Sequence, residues 1–249
     1  MVMSSKKLDE RLVCLTAPTS LEAEQYQALR LKLESLHRSR GVGVMAITSP
    51  GVKDGKSMTA INLAGALAQG SDARVLLIEA DLRRPSVGRY LAISENKAPG
   101  LAHIVLDPRC TLRDGIVQAK PHKFDVVLAG STGAPIHELF RSPRLEALLE
   151  EAREQYDYVV LDTPPLGPVS DCALLARWVD GVLMVVAAHR TSRTLLEEAL
   201  NLLEGAAVLG IVFNGDDRAF LRYRRHSYRG YFSGARKRHS DHTKDTAGL

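Results

Sequence analysis

A turn rich in small residues, set between an apolar run and a helical pattern, most constrains the fold of this 249-residue chain. Residues 47–59 read ITSPGVKDGKSMT, so the turn ends in Gly-Lys-Ser. The backbone amides of such a turn converge on phosphate oxygens, and the N-terminus of the following helix favours negative charge. The pattern therefore predicts Lys56 at the β- and γ-phosphates of a nucleotide and Ser57 on Mg²⁺. The match to the consensus is imperfect, because Pro50 stands where the first glycine is expected.

Composition predicts one soluble globular domain of the reducing cytoplasm. The chain is 45% hydrophobic and 25% charged, which is ordinary for a protein with a packed core. Its longest strongly apolar run, residues 182–188, is too short to span a bilayer, and the first residues lack the apolar core of a signal peptide. Three scattered cysteines indicate neither a disulfide framework nor a zinc site.

Short apolar runs alternate with helical patterns along the body of the chain. Strands are predicted at residues 42–47, 74–78, 124–128, 158–161, 182–186 and 209–213. Helices are predicted after the phosphate loop, after a Ser142 N-cap with Pro143 in first position, and at residues 191–203. This alternation predicts an α/β fold, a three-layer, doubly wound and mainly parallel sheet that binds ligands at the carboxyl ends of its strands.

Two acidic motifs follow predicted strands. Asp162 closes the run YVVLD, a Walker B arrangement in which the carboxylate holds Mg²⁺; the alternative is a turn-forming aspartate. Glu79 and Asp81 are two residues apart, so on a straight strand both carboxylates would point to one side. Such a pair can divide metal binding and proton acceptance. The alternative is a pair of solvated acids neutralised by Arg83 and Arg84.

These three motifs, in this order, resemble the bacterial tyrosine kinases of capsule and exopolysaccharide synthesis, which are relatives of the partition and division-site ATPases. The resemblance runs from about Leu12 to Asn214. Residues 48–64 are similar to the family's Walker A region, and residues 162–171 are similar to its Walker B region. The specific part is IEADLRRP at residues 78–85, which resembles the additional acidic motif called Walker A′, because ordinary P-loop ATPases lack it.

The resemblance implies ATP and Mg²⁺ as cofactors and carries residue roles over by position. Catalytic roles would fall to Lys56, Glu79, Asp81 and Asp162. The metal ligands would be Ser57, Asp81 and Asp162. Glu79 stands where the family has an aspartate that accepts the tyrosine proton. Nucleotide contacts would come from Val52, Lys53, Asp54, Gly55, Lys56, Ser57, Met58 and, near the adenine, Asn214.

Three departures from the family pattern bear on activity and assembly. The extra methylene of Glu79 moves its carboxylate outward by about 1 Å, a displacement that can cost on the order of a hundredfold in rate. The pair Val52-Lys53 replaces Pro-Gly in the loop. In the helix through which family members form a ring, Glu24 and Arg30 match, but Gln27 replaces the middle arginine. The helical stripe in this segment is expected to pack against the chain's own core: Tyr26, Leu29, Leu33 and Leu36.

The last residues form a basic extension. Residues 218–240 carry eight Lys/Arg and no acid, interleaved with aromatic side chains, which predicts a flexible tail. The chain therefore divides into an N-terminal segment and helix at 1–40, a P-loop domain at 41–217 and the tail at 218–249. The resemblance implies that neighbouring subunits phosphorylate Tyr223, Tyr228 and Tyr231. Unmodified, the tail could bind an acidic partner, anionic lipid or nucleic acid, and phosphorylation would release it; the alternative is a basic extension that only adds solubility. Nucleic acid is the least expected of these partners, since no folded recognition motif is visible.

Two classes of function remain open, with a variant of the first. In the first class, the protein is an ATP-dependent tyrosine autokinase that controls the chain length or export of a polysaccharide. The resemblance then implies a homo-oligomer, a counteracting tyrosine phosphatase and a membrane co-polymerase whose cytosolic segment activates the kinase and holds it at the inner face of the membrane. In the second class, it is a nucleotide-switched ATPase of the partition type with a membrane- or DNA-binding tail, although Gly51 stands where those ATPases have a second lysine. A kinase relative that binds ATP without transferring phosphate is the variant, because of Glu79.

Overall fold

A seven-stranded sheet forms the centre of the protein. The computed structural model describes residues 7–70, 72–94, 98–167, 171–203 and 205–216. The strands are β1 (Val44–Thr48), β2 (Val75–Glu79), β3 (Ile116–Gln118), β4 (Asp125–Val127), β5 (Tyr158–Asp162), β6 (Gly181–Ala187) and β7 (Val208–Asn214). They follow the order β3-β4-β2-β5-β1-β6-β7. All neighbouring pairs are parallel except β3 with β4.

Helices cover both faces of this sheet. They are α1 (Val13–Thr16), α2 (Leu21–Arg40), α3 (Lys56–Gly70), α4 (Val87–Tyr90), α5 (Leu101–Leu106), α6 (Leu112–Gly115), α7 (Ile136–Arg141), α8 (Pro143–Gln155), α9 (Asp171–Leu175) and α10 (Arg193–Asn201), with a 3-10 helix at Ala176–Trp178. One core cluster joins α2 and α3 to the sheet, and two others join α5, α7, α8 and α10 to its remaining surface. The predicted three-layer, mainly parallel α/β fold is confirmed. Within the described ranges, no helix is both long and apolar enough to cross a membrane.

The predicted strands are present, with boundaries shifted by at most two residues. The apolar runs mark them well because central parallel strands are buried on both faces; β1, β2, β5 and β6 are buried along their whole lengths. Strand β3 was not predicted, because this edge strand has only three residues and its two apolar side chains, followed by the exposed Gln118, form too short a run. The Ser142 cap is confirmed, since its side chain accepts the amide of Arg144 and Pro143 takes the first helical position.

Helix α3 differs from the one-sided helix that its apolar positions predict. Its residues from Lys56 to Ala68 are buried around almost the whole circumference, including Thr59 and Asn62. The cause is tertiary: α1 and α2 pack on the face of α3 that turns away from the sheet. Asn62 illustrates this contact, because its side chain accepts the amide of Cys14 and donates to the carbonyl of Arg11.

Helix α2 packs its stripe on the protein's own core, as predicted. Leu33 is buried in the main cluster, and Leu29 and Leu36 pack against that cluster. Of the positions compared with the ring-forming pattern, Gln27 donates to the Gln69 side chain of α3, and Arg30 forms an ion pair with Glu34. These side chains therefore have partners within the same chain.

Candidate nucleotide site

The phosphate loop connects the carboxyl end of β1 to α3, which begins at Lys56. Gly55 has φ +100°, and a Cβ atom added there would lie 1.9 Å from the side-chain nitrogen of Asn214. Only glycine fits this position, because both the backbone angle and the space exclude a side chain. The loop thus has the close-packed turn and following helix N-terminus that suit a phosphate group.

Two residues that are distant in sequence, Arg190 and Asn214, bind the loop through Asp54. The Asp54 carboxylate, with 3% of the residue exposed, accepts the Gly51 amide at 2.9 Å and the guanidinium of Arg190 at 3.0 Å. The Asn214 side chain donates to the Asp54 carbonyl at 2.9 Å. Asn214 therefore contacts the loop itself, while its predicted approach to the adenine stays a prediction. Arg190 was not predicted; its position just past a central strand end was the available signal.

Three of the predicted catalytic residues meet beside the loop. The Lys56 ammonium lies 2.6 Å from Asp81 Oδ2 and 3.5 Å from Asp162 Oδ1, and it donates to Ser57 Oγ at 3.3 Å. Burial acts to lower the pKa of Lys56, but the two carboxylates outweigh burial and hold the pKa above its ordinary value. Burial raises the pKa of Asp162, against the influence of Lys56. The two predicted acidic motifs and the phosphate loop therefore form one charged cluster.

The cluster fits Mg²⁺ and a nucleotide. Oδ2 of Asp162 is fully buried and has no hydrogen-bond partner among the described residues, so a ligand atom remains available at the centre of the cluster. The remaining predicted ligands, the Ser57 hydroxyl and the Asp81 carboxylate, are hard oxygen donors. Among the described residues, no group of three or more His, Cys, Asp or Glu could hold a metal ion. One or two carboxylates completed by substrate phosphates and water are what Mg²⁺ prefers.

Glu79 points to a different set of partners. Its Oε1 accepts the amides of Ser86 and Val87 where α4 begins, and its Oε2 accepts the amide of Ala129 at 3.1 Å. Burial raises the pKa of Glu79, although these three amides act in the opposite direction. The prediction that the Glu79 and Asp81 carboxylates share one side of a strand is wrong, because β2 ends at Glu79 and Asp81 lies beyond it. Neither acid is solvated.

The Walker B segment is attached directly to the end of β1. The backbone amide and hydroxyl of Thr163 both donate to the Ile47 carbonyl, at 3.1 and 3.0 Å. In return, the Thr48 hydroxyl donates to the Pro164 carbonyl at 2.9 Å. These bonds fix the position of Asp162 relative to the phosphate loop before any ligand binds.

Other predicted site residues lie at the margin of the cluster or outside the described ranges. The side chains of Val52 and Lys53 are exposed on the loop, whereas Met58 packs against the main core. The proposed phosphate acceptors, Tyr223, Tyr228 and Tyr231, lie outside the described residues.

Comparison with known proteins agrees with this geometry. A family model described as an AAA domain matches residues 44–206. The tyrosine-protein kinase YwqD of Bacillus subtilis is 31% identical over 231 residues, covering 91% of this chain and 92% of YwqD. The putative tyrosine-protein kinase EpsB of Ralstonia nicotianae is 30% identical over 89% of this chain. The chain spans only 29% of EpsB's length.

Solved structures give the same grouping. The kinase domain of the Escherichia coli tyrosine kinase ETK superposes with a TM-score of 0.79 at 29% identity, covering 86% of this chain and 82% of that domain. The septum site-determining protein MinD of Pyrococcus horikoshii superposes with a TM-score of 0.58 at 18% identity, covering 71% of each chain. The second likeness concerns the fold alone.

Proposed function

The chain belongs to the family of bacterial tyrosine kinases of capsule and exopolysaccharide synthesis, and on that premise we propose that it is an ATP-dependent protein tyrosine kinase. The observation that carries the proposal is the buried cluster in which a loop lysine, Lys56, lies against two aspartates from two different strand ends. Phosphoryl transfer requires chiefly positioning and charge neutralisation, which such a cluster supplies.

Each residue of the cluster has a distinct proposed role. Lys56 and the loop amides would contact the phosphate oxygens of ATP. Ser57, Asp81 and Asp162 would hold Mg²⁺, whose charge offsets that of the phosphates. The unpartnered Oδ2 of Asp162 supports this assignment. The Lys56 ammonium, which here pairs with Asp81 and Asp162, would contact the phosphates when those carboxylates hold the metal ion.

We propose Glu79 as the group that accepts the tyrosine proton. In the reaction, the bond between the γ-phosphorus and its bridging oxygen breaks, the tyrosine oxygen bonds to phosphorus, and the hydroxyl proton passes to the carboxylate. A carboxylate offers about four acceptor positions, and the amides of Ser86, Val87 and Ala129 occupy three of them. The fourth would receive the proton. The raised pKa of Glu79 supports this role, because a stronger base takes up a proton more readily.

The proposed substrate is the tyrosine-containing tail of another copy of the chain. Tyr223, Tyr228 and Tyr231 would be the acceptors, and trans phosphorylation would require a homo-oligomer. One relative is named a succinoglycan biosynthesis transport protein, and one similar structure is that of the chimerical protein CapA2B2. These names support a polysaccharide co-polymerase as the membrane partner and activator. A tyrosine phosphatase would reverse the modification. The proposed biological role is control of polysaccharide chain length or export from the cytoplasmic face of the membrane.

The test is phosphotyrosine mapping by mass spectrometry on the full chain incubated with Mg-ATP, with and without the cytosolic segments of a neighbouring membrane protein. We expect phosphate on the three tail tyrosines, its loss in Lys56→Met, and its retention in Lys123→Met, a control at an exposed position between β3 and β4. ATP hydrolysis without phosphotyrosine would instead favour the nucleotide-switch ATPase, for which the basic tail would serve as a membrane or DNA anchor. ATP binding without hydrolysis or transfer would indicate a transfer-deficient relative.

A further inference from the structure

The loop that we propose binds phosphate contains a buried acid. Asp54 directly precedes the pair Gly55-Lys56, and only 3% of the surface of Asp54 is exposed. A carboxylate in this place repels polyphosphate, and little water is present to screen it. A function that binds ATP therefore requires a counter-charge close to Asp54.

Arg190 supplies that counter-charge from another part of the fold. Its Nη2 atom lies 3.0 Å from Asp54 Oδ1 and also donates to the backbone carbonyl of Lys53. The turn that carries Arg190 is itself closed at the end of β6. The amides of Arg190 and Thr191 donate to the Ala187 carbonyl, at 3.2 and 3.1 Å, and the Thr191 hydroxyl accepts the Ala187 amide. Hydrogen bonds therefore hold the backbone from which the Arg190 side chain extends.

The hydrogen bonds to the Lys53 and Asp54 carbonyls orient the loop amides that follow them. In a trans peptide, the C=O of one residue and the N–H of the next point in opposite directions. Arg190 binds the Lys53 carbonyl, so the Asp54 amide points away from Arg190. Asn214 binds the Asp54 carbonyl, so the Gly55 amide points away from Asn214. Two successive amides therefore point away from the side chains that bind the loop, where they could donate to a phosphate.

The conformation of Lys53 makes the contact with Arg190 more important. Lys53 has φ +65°, a left-handed conformation that residues with a side chain seldom adopt. The peptide that follows it needs an external partner to stay in this orientation. The guanidinium of Arg190 is that partner, and the Gly51 amide bonded to the Asp54 carboxylate closes the turn from within.

We propose that Arg190 is a positioning residue for nucleotide binding: it neutralises Asp54 and holds the peptide between Lys53 and Asp54 with its amide turned to the phosphates. This inference rests on the proposed function, because it assumes that the loop binds ATP. In this role Arg190 acts through the loop and not on the reacting atoms, so its loss should raise KM for ATP and leave kcat nearly unchanged.

The experiment measures the Kd of the full chain for Mg-ATP by calorimetry, together with KM and kcat for tail phosphorylation. We expect Arg190→Ala to weaken Mg-ATP binding by about tenfold, since a hydrogen bond to a charged group is lost and the carboxylate is left unpaired. Arg190→Lys, which keeps the charge but not the planar fork, should lie between Arg190→Ala and the native chain. Arg193→Ala is the matched control, because that arginine is 91% exposed on α10 and pairs with Glu197.

A second substitution separates this role from a general structural one. Asp54→Asn removes the repelling charge and keeps an oxygen for the Gly51 amide. The double variant Arg190→Ala with Asp54→Asn should therefore bind Mg-ATP more tightly than Arg190→Ala alone, but up to about threefold more weakly than the native chain, because the Lys53 carbonyl still lacks its partner. Unchanged affinity in Arg190→Ala, or no rescue by Asp54→Asn, would overturn the inference while the proposed function stands. A native chain that does not bind Mg-ATP would overturn both.

Discussion

Replacing Glu79 by glutamine tests whether its carboxylate accepts a proton or only anchors the backbone. The oxygen of the introduced amide would keep the bonds to the Ser86 and Val87 amides, while its NH₂ group would face the Ala129 amide, where Oε2 now accepts. One buried donor would lose its partner, which costs about 1–3 kcal/mol. At about 2–4 °C per kcal/mol for a chain of this size, we expect Tm to fall by about 2–12 °C.

The expected effect on catalysis is larger than the effect on stability. A positioned general base contributes about 10²–10⁴-fold in rate, so phosphotyrosine formation should fall by that factor. The Kd for Mg-ATP should stay within about threefold of the native value, because the amide partners of Glu79 are separate from the Lys56 cluster. The assay is initial-rate phosphotyrosine formation at saturating Mg-ATP, at a temperature well below the Tm of the variant. Glu154→Gln, at an exposed position of α8, is the control.

The pH dependence provides the second part of the test. Burial raises the pKa of Glu79, so the rate should rise as pH increases through this raised value and the carboxylate becomes ionised. The sign for stability is opposite: the contribution of Glu79 is present below its unfolded pKa and is lost as pH rises through the folded pKa. Glu79→Gln should flatten the rate profile. A turnover within about threefold of native, with the same pH profile, would refute the assignment of Glu79 as the base.

Three further predictions concern the loop, the cluster and the base of the sheet. Lys56→Met leaves two carboxylates of a buried cluster without their ammonium, which should lower the free energy of unfolding by about 3–5 kcal/mol. Added MgCl₂ should therefore raise Tm more in this variant than in the native chain. An equal rise in both would contradict the cluster's role. Gly55→Ala should abolish measurable Mg-ATP binding, because Gly55 has φ +100° and the new Cβ would lie 1.9 Å from the side-chain nitrogen of Asn214. Gly133→Ala should bind normally, since its Cβ would meet none of the described residues within 4 Å. Asp180 is partly buried, which would raise its pKa, but its bonds to Arg153 and two backbone amides hold the pKa below its ordinary value. Its contribution is therefore present above the unfolded pKa and lost as pH falls through the folded pKa, so the deficit of Asp180→Asn in urea unfolding, about 2 kcal/mol at neutral pH, should shrink as the solution is acidified.

Local sequence was sufficient to identify six of the seven described strands, the loop and the acids, because these features have local physical causes. A parallel strand covered on both faces must be apolar along its length, so β1, β5 and β6 are visible as runs. In a parallel sheet, the residues that follow such runs lie together at the carboxyl ends of the strands. The proximity of Lys56, Asp81 and Asp162 therefore follows from their order in the chain.

Tertiary structure decided the contacts that join distant segments. Asp54 and Arg190 are separated by 136 residues, and nothing in the neighbourhood of either one predicts the other. The amides that bind Glu79 lie at the start of α4 and just after β4, so the environment of this carboxylate depends on where those elements pack. The same reason explains the burial of α3, whose outer face is covered by α1 and α2. Sequence periodicity reports how a residue relates to its near neighbours, whereas charge pairing and burial depend on distances in space.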